Sequence, residues 1–503
     1  MLNRLAAIFD RFFFQPSDSR NLALFRMLYC GALACVHVPQ MSRIENLYES
    51  YFAVYFPTPL FVWFGLGQLP LGIVRLFGIV LLLSLLSAAC GLVVRLALTF
   101  AWVSFFFFYG TVLGFEKPEP STVSLYTFHY NNIVLFILFI LSISPGISFW
   151  GIGRLGGGKK SWQSLYSSHD ATFSIPAWPV LLIKLTLALA YFGSGLAKLK
   201  VAGVLWMDGY TLQAYFLMKY LQENAWIGCW LAQYYWVCIV LSFCTLILEL
   251  SFIIVPFFPN NHPLTWVYVV AGLGFHILIA VTMKISHFIP FMGLSYFIFL
   301  DWSIWQKWLG SFWPLSVKKQ KGAYPLQLQS SFSYAKNNPR TSWRSWIPRG
   351  FITGYLSTLL FCDVVGIELW PFSDYAVFRG RFHYSQVSVW QIRGVDDTNG
   401  VRWLRAQDLG AGFEGWFDGT NFVRFYMAHS GRTAGVLTLK EDQDLAREGP
   451  RFLRDFHQHL PPVLRERFHT LEFVIRSIEK DPHGWLVPSD RVLFSTNSPG
   501  ADR

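Results

Sequence analysis

The feature that most constrains this chain is a series of apolar segments, each close to the roughly 20 residues that an α-helix needs to cross a bilayer. Nine such segments can be placed, at 21–38, 76–94, 96–115, 126–146, 178–198, 227–256, 264–283, 288–306 and 351–367. The sixth is long enough to tilt strongly, and the ninth contains Asp363. The sequence therefore predicts an all-α polytopic membrane protein with about nine transmembrane helices.

The composition excludes several other classes of protein. Only 14% of the 503 residues are charged, whereas an ordinary soluble domain has roughly 25%. This deficit, together with 48 Phe, 21 Trp and 22 Tyr, excludes a disordered chain and a typical cytosolic enzyme. All seven cysteines lie in apolar runs, where they are typical of small core side chains, and none has the spacing of a metal site. We therefore expect neither a disulfide scaffold nor a bound metal.

The net charge of +11 indicates orientation in the membrane rather than nucleic-acid binding. The whole excess lies in residues 1–368, whereas residues 369–503 carry equal numbers of basic and acidic side chains. Residues 307–350 hold eight Lys or Arg and no acid. Because cytoplasmic loops are enriched in Lys and Arg, the sequence predicts an integral protein of the cell or inner membrane with its N-terminus in the cytoplasm.

The C-terminal part has the composition of a soluble domain. It contains strand-like segments at 387–395, 401–409, 470–479 and 491–496, Gly-rich turns around 410–419, and a helical pattern at 441–460 that Pro450 interrupts. Nine spans place this small α+β domain outside the cytoplasm, where it would meet a protein substrate or partner. The predicted parts are a transmembrane domain (1–308), a basic cytoplasmic linker (309–350), a last transmembrane helix (351–368) and an extracytoplasmic domain (369–503).

Ionisable residues at membrane depth are costly and are therefore candidates for function. Lys184, Tyr191 and Lys198 recur every seven residues in the fifth span, so they share one stripe of a helix. The small residues at 193–195 permit close approach of a neighbouring helix or a flat ligand. A lysine near the end of a span also commonly extends to the membrane interface, so spacing alone leaves both interpretations of Lys184 and Lys198 open.

Three further ionisable residues lie within predicted spans. Glu249 and His276 are far from the ends of the sixth and seventh spans, where each is either a functional group or one member of a buried structural pair. Arg26 lies in the first turns of the first span, either extending to the interface or pairing with a buried acid.

Four segments resemble, in order and spacing, the horizontally transferred transmembrane (HTTM) domain family, which includes the vitamin K-dependent γ-glutamyl carboxylases. They are PSDSRNLALFRMLYCGALACVHVPQ (16–40), AYFGSGLAKLKVAGVLWMDGYTLQ (190–213), LILELSF (246–252) and GFHILIAVTMKISHFIPFMGLSYFIFL (274–300). The second carries a Tyr-Phe-x-x-Gly-x-x-Lys-Leu motif followed by Trp-x-Asp-Gly-Tyr. The resemblance covers about residues 15–305.

The resemblance implies chemistry on a reduced vitamin K-type quinone. In that family a neutral lysine amine removes a hydroquinone proton, and the quinone anion takes up O2 and ends as an epoxide. A strongly basic oxygenated intermediate then removes the γ-proton of a glutamate, which captures CO2. Burial in an apolar cavity favours a neutral amine, and exclusion of water protects a basic intermediate.

Four residues are carried over from the family. Lys198 is placed on the base and His276 on a histidine of the later helix, and both are catalytic candidates, while Tyr191 is placed on a neighbouring tyrosine and Glu249 on an acidic position. The quinone-binding candidates are Tyr191 and Glu249, together with Trp206 from the aromatic lining and Arg26 from the first span. The expected small molecules are the hydroquinone, O2 and, for carboxylation, CO2, and the other partner is membrane lipid.

Two departures from the animal carboxylases keep alternatives open. Their Asn-His pair after the fourth span is absent here, where the chain reads PGISFW at 145–150, and their lumenal domain is much larger. Quinone oxygenation is therefore expected more firmly than glutamate carboxylation. The alternatives are a non-catalytic quinone- or lipid-binding or accessory membrane protein whose C-terminal domain binds a partner, and a transporter, although no inverted repeat is visible.

Overall fold

The computed structural model describes residues 2–49, 55–116, 130–145, 174–301, 342–366, 387–404, 449–480 and 485–497, apart from residues 56, 287 and 452. Several expectations fall wholly or partly outside these ranges. They are the two ends of the fourth span, the segment at 145–150, the last residues of the eighth and ninth spans, the basic linker up to 341, the strand segment beyond 404, the Gly-rich turns at 410–419 and the helical pattern up to 448.

The described part of the chain is mostly helical, as the sequence predicts. Its α-helices are α1 (Leu2–Phe13), α2 (Ser19–Glu49), α3 (Pro59–Trp63), α4 (Leu71–Cys90), α5 (Val94–Glu116), α6 (Tyr130–Ile143), α7 (Trp178–Ala202), α8 (Tyr210–Glu223), α9 (Trp226–Ala232), α10 (Tyr235–Ser251), α11 (Pro263–Met283), α12 (Ser342–Val365) and α13 (Pro462–Arg467). Short 3₁₀ segments follow α7 (Gly203–Asp208) and α10 (Phe252–Phe257).

Six helical segments in the described ranges are long and apolar enough to cross a bilayer. They match the first, second, third, fifth, sixth and seventh predicted spans, at Ser19–Glu49, Leu71–Cys90, Val94–Phe115, Trp178–Asp208, Tyr235–Phe257 and Pro263–Met283. An integral membrane protein is therefore supported, but a count of nine spans is not confirmed.

The remaining three predicted spans are not among these six. The fourth lies partly outside the described residues, and its described helix is α6 (Tyr130–Ile143). The eighth consists of a π-helical turn at Ile289–Gly293, where Pro290 supplies no backbone donor, and a 3₁₀ segment at Tyr296–Phe299. The ninth lies within α12, which begins at Ser342 and is less apolar than the six.

The sixth span is not the single long tilted helix that was expected. The chain ends α9 at Ala232 and begins α10 at Tyr235. Gln233, at the break, turns its side-chain amide to the C-terminal domain, where it donates to Leu486 O (3.1 Å) and accepts from Leu486 N (3.0 Å). The break between α9 and α10 therefore lies where the C-terminal domain contacts the membrane domain.

Helix α7 lies at the centre of the membrane domain, because 89% of its most apolar 18-residue stretch is buried, compared with 28% of the same length of α4. It packs against α6, α10 and α12. The register with α12 is fixed at two levels. Thr186 and Tyr355 share a hydrogen bond of 2.8 Å between their hydroxyl groups, and two turns further on the Asp363 carboxylate lies against Gly193.

The C-terminal domain contains a four-stranded antiparallel sheet. Its strands are β3 (Ser388–Asp396), β4 (Val401–Trp403), β5 (Phe468–Lys480) and β6 (Leu486–Ser495), in the order β4-β3-β5-β6, while β1 (Pro16–Asp18) and β2 (Ser174–Pro176) pair separately beside α2 and α7. Each expected strand segment contributes to this sheet, and helical residues at 453–458 and in α13 accompany it.

The sheet packs directly on α8 and α9. Four of its apolar side chains join a cluster with residues of those helices, namely Val387, Val389, Ile478 and Leu486. The Gln391 side chain donates to Leu221 O at the end of α8 (2.8 Å), where the backbone carbonyls have no partner within the helix. Because α8 follows the C-terminal end of α7, the sheet and that end of α7 lie on the same side of the membrane domain.

Candidate functional site

Lys198 is buried and ion-paired, so it does not extend to the membrane interface. Its side chain is 1% exposed and its Nζ lies 2.8 Å from Glu249 Oε1. Ser194, one turn earlier on α7, accepts from Lys198 Nζ (2.9 Å) and donates to the same Glu249 oxygen (3.1 Å). Glu249 is therefore a member of a buried pair, as one of its two alternatives predicts. Its partner in that pair is the candidate base, Lys198.

Small residues on α7 allow this approach. A Cβ on Gly195 would lie 3.1 Å from Glu249 Cβ and 3.0 Å from Leu250, which is tighter than ordinary contact. Glycine at 195 thus lets α10 come close enough for Glu249 to reach Lys198, as the sequence of small residues at 193–195 predicts.

Trp206 closes the other side of the lysine. It belongs to the 3₁₀ segment that follows α7, it is 1% exposed, and its ring centroid lies 5.2 Å from Lys198 Nζ. An indole at this distance excludes water and attracts the ammonium form through its ring face. The structure therefore brings three of the predicted site residues, Lys198, Glu249 and Trp206, into one contact group.

A second polar group lies two turns earlier on α7. Tyr191 Oη lies 2.7 Å from His276 Nε2 and 2.5 Å from Tyr296 Oη, and all three side chains are buried. Phe252 stacks on the Tyr191 ring with a centroid distance of 4.4 Å. The structure thus joins the predicted residues Tyr191 and His276, and it adds Tyr296, which the sequence analysis did not single out.

Two buried polar atoms of these groups lack a hydrogen-bond partner among the described residues. They are Glu249 Oε2 and His276 Nδ1. A buried donor or acceptor without a partner is unfavourable by about 1–3 kcal/mol, so each of these two atoms needs an explanation. They lie on α10 and α11, in residues whose other polar atoms bond to Lys198 and Tyr191.

Arg26 is placed apart on α2. It is completely buried, so it does not extend to the membrane interface. Helix α2 packs against the 3₁₀ segment that contains Tyr296.

Lys184, the first member of the seven-residue stripe, is also buried instead of extending to the interface. It donates to Asn260 Oδ1, and its Nζ lies 5.2 Å from the Phe299 ring centroid. The three members of the stripe therefore have different partners at three levels of α7. Lys198 forms an ion pair with the Glu249 carboxylate, whereas Lys184 donates to the side-chain amide of Asn260.

His37 is a buried histidine that the sequence analysis did not identify. Its Nε2 lies 3.0 Å from Gly78 O and its Nδ1 lies 3.3 Å from Tyr109 Oη, so it joins α2, α4 and α5. Both nitrogens have partners, which is the arrangement of a structural histidine and contrasts with His276.

Comparison with known proteins agrees with the motifs that carry the site. A family model described as the HTTM domain matches residues 14–305, which include all of the residues discussed above except Asp363, Tyr355 and those of the C-terminal domain. No curated protein and no solved structure matches the chain.

Proposed function

The chain belongs to the HTTM domain family, and from this membership we propose that it is a vitamin K-dependent carboxylase-like membrane enzyme that oxygenates a reduced quinone, with Lys198 as the base. The observation that carries the proposal is the buried Lys198–Glu249 pair, with an Nζ–Oε1 distance of 2.8 Å. A lysine with this burial and a proton-accepting partner is suited to base chemistry in a way that an interfacial lysine is not.

The pair supplies a place for the proton that Lys198 must lose before it acts. Two opposite charges buried together can exchange one proton and become a neutral amine and a neutral carboxylic acid without any change in total charge. Glu249 Oε2, the oxygen that is not bonded to Lys198, has no partner among the described residues and would hold that proton. The neutral Lys198 amine would then accept a proton from the hydroxyl group of the substrate.

The bound hydroquinone would supply the acidic hydroxyl group and the electrons for reaction with O2. A flat aromatic ligand would find apolar rings beside each group, since Trp206 lies beside Lys198 and Phe252 lies against Tyr191, and a polar atom without a partner among the described residues in His276 Nδ1. Burial of Lys198 and His276, at 1% and 3% exposed, keeps water from the reacting atoms.

Glutamate carboxylation is the second half of the proposed activity. It would require CO2 and a glutamate-containing protein, which would approach from the side where the C-terminal sheet packs on α8. In the proposed orientation this side is extracytoplasmic, since the basic segment 307–350 is cytoplasmic.

The test is epoxide formation by the purified full-length protein in lipid nanodiscs, given menadiol, the reduced form of menadione, and O2. We expect Lys198→Ala to lower the rate by about 10²- to 10⁴-fold, the usual contribution of a positioned base. Lys184→Ala is the matched control, because Lys184 is a buried lysine of the same helix and stripe. Equal rates for wild type and Lys198→Ala, or no epoxide from either, would exclude the proposal and favour a non-catalytic membrane protein.

The carboxylation half is measured separately, by incorporation of labelled CO2 into a short glutamate peptide in the same preparation. Incorporation that depends on Lys198 would extend the activity to carboxylation. Epoxide formation without incorporation would limit it to quinone oxygenation.

A further inference from the structure

Three buried side chains are joined by two successive hydrogen bonds inside the membrane domain. Tyr296 Oη lies 2.5 Å from Tyr191 Oη, which lies 2.7 Å from His276 Nε2. Each side chain is 3% exposed, and the two bonds connect α7, α11 and the 3₁₀ segment at Tyr296–Phe299. This series of hydrogen bonds ends at the His276 ring, whose other nitrogen, Nδ1, has no partner among the described residues.

Which group donates in each of the two hydrogen bonds is limited by the number of hydrogens available. Each tyrosine hydroxyl has one hydrogen, and a neutral imidazole has one hydrogen shared between two nitrogens. If Tyr296 donates to Tyr191 and Tyr191 donates to His276 Nε2, the imidazole hydrogen must sit on Nδ1. In this arrangement a single polar group, the Nδ1–H, has no partner.

The reverse arrangement leaves a different hydrogen unbonded. If His276 donates from Nε2 to Tyr191 and Tyr191 donates to Tyr296, the Tyr296 hydroxyl hydrogen has no acceptor, and a ligand at His276 Nδ1 does not supply one. In the first arrangement, a ligand oxygen that accepts from Nδ1–H leaves every hydrogen of the three groups bonded. Because buried polar groups are almost always hydrogen-bonded, a ligand that accepts at Nδ1 favours the direction from Tyr296 through Tyr191 to His276.

We propose that His276 presents its Nδ1–H as a hydrogen-bond donor to an oxygen of the bound ligand, and that Tyr191 and Tyr296 are positioning residues that fix this tautomer. The ligand class is a molecule with an exposed carbonyl or phenolate oxygen, which under the proposed function is the quinone. This assigns Tyr191 a new role, because its single hydroxyl hydrogen is donated to His276 and is not available to the ligand. It also makes His276 a donor instead of a base.

Two further contacts hold the arrangement. Phe288 lies parallel to the His276 ring, with centroids 5.7 Å apart and planes within 20°, and it limits rotation of the imidazole. Gly272, one turn before His276 on α11, faces Tyr296, and a Cβ at 272 would overlap the Tyr296 hydroxyl oxygen. A glycine at 272 is therefore needed for Tyr296 to reach Tyr191.

The tautomer can be measured directly by solid-state NMR of the full-length protein in lipid bilayers, with ¹⁵N-labelled histidine. The signals of His276 are identified as those lost in His276→Gln. We expect a protonated Nδ1 and a bare Nε2 in the wild type. In Tyr191→Phe, where Nε2 has no partner, we expect protonation at Nε2 to appear, with a smaller shift in the same direction in Tyr296→Phe.

Tyr109→Phe is the matched control, because it removes a tyrosine hydroxyl from the other buried histidine, His37. It should leave the His276 signals unchanged. A wild-type His276 protonated at Nε2, or a tautomer that does not respond to Tyr191→Phe, would overturn the inference whether or not the protein is an enzyme.

The ligand is tested with menadione, a stable quinone that carries two carbonyl oxygens. Its addition should shift the Nδ1–H signal selectively, and Tyr191→Phe should weaken menadione binding roughly two- to tenfold, the effect of one hydrogen bond. An Nδ1–H signal unaffected by saturating menadione, in a protein that still forms epoxide, would overturn the donor role alone. A shifted signal in a protein that forms no epoxide would support the donor role and exclude the proposed oxygenation.

Discussion

The carboxylate of Asp363 lies directly against the backbone of Gly193, at a distance where no side chain could stand between them. Gly193 belongs to the helix that carries Lys198, whereas Asp363 is on α12, beyond the last residue of the family match. The packing of the central helix is therefore completed by a part of the chain outside the recognised domain.

This contact predicts that Gly193→Ala destabilises the protein. A Cβ at 193 would overlap the Asp363 carboxylate, and overpacking of a close contact costs about 1–3 kcal/mol of unfolding free energy. The measurement is thermal unfolding in detergent by circular dichroism. Gly354→Ala on α12, where a Cβ meets open space, is the control and should not lower the midpoint. Equal midpoints for both variants would contradict the tight contact.

The Lys198–Glu249 pair predicts an unusual pattern of stability. Each single change, Lys198→Met or Glu249→Met, leaves a buried charged partner and should lower the unfolding free energy by about 3–5 kcal/mol. The double variant leaves no buried charge and should recover most of that loss while remaining inactive. Chemical denaturation of the three variants in one detergent measures the coupling. Additive effects of the two changes would show that the residues do not interact.

The C-terminal domain has a local pH response at Asp396. Hydrogen bonds from the Thr398 hydroxyl, then from the Gly400 and Thr398 backbone N–H groups, lower the pKa of the Asp396 carboxyl below its ordinary value. Because the folded pKa lies below the unfolded one, the stabilisation is present above the ordinary pKa of about 3.9 and is lost as the pH falls through the lower, folded value.

Thr398→Ala should therefore raise the pKa of Asp396 towards its ordinary value, since the largest of these contributions is removed. An NMR titration of the aspartate carboxyl carbons follows the change. Thr398→Ser keeps the hydroxyl group and should leave the titration near that of the wild type. A midpoint in Thr398→Ala at or below the wild-type value would exclude the hydroxyl as the cause.

The proposed orientation places the two ends of the chain on opposite sides of the membrane, because Lys and Arg favour the cytoplasmic side. In a variant with all seven cysteines replaced by alanine, Val463→Cys on the 76% exposed face of α13 should react with a membrane-impermeant maleimide in intact cells. Arg4→Cys should react only after lysis. The reverse pattern would invert the orientation.

The sequence predicts well what local pattern determines. Long apolar runs identify six helices that can cross a membrane, and alternating apolar residues identify the strands around Val389 and Ile478. It predicts poorly what depends on distant partners. The interruption at Gln233 is visible only through Leu486, some 250 positions away in the chain, and the apolar run around it shows no break signal.

In the candidate site too, the sequence predicts what local pattern determines and misses what depends on distant partners. The motif identifies Lys198, but its pairing with Glu249 joins residues 51 positions apart and depends on the close approach at Gly195. Tyr296 was missed because a tyrosine in an aromatic run is not distinguished by spacing. The Lys184 and Lys198 alternatives were decided by burial, which a sequence alone does not measure.

The docking of the sheet on α8 and α9 means that the two parts of this chain are not interchangeable modules. Val387, Val389, Ile478 and Leu486 share one apolar cluster with the membrane domain, and Gln391 and Gln233 hold the two together by hydrogen bonds. A chain shortened before the sheet would expose that apolar surface to water and would lose solubility along with any role of the domain. The contact also joins α8 and α9, which lie inside the family match, to a sheet that lies beyond its last residue.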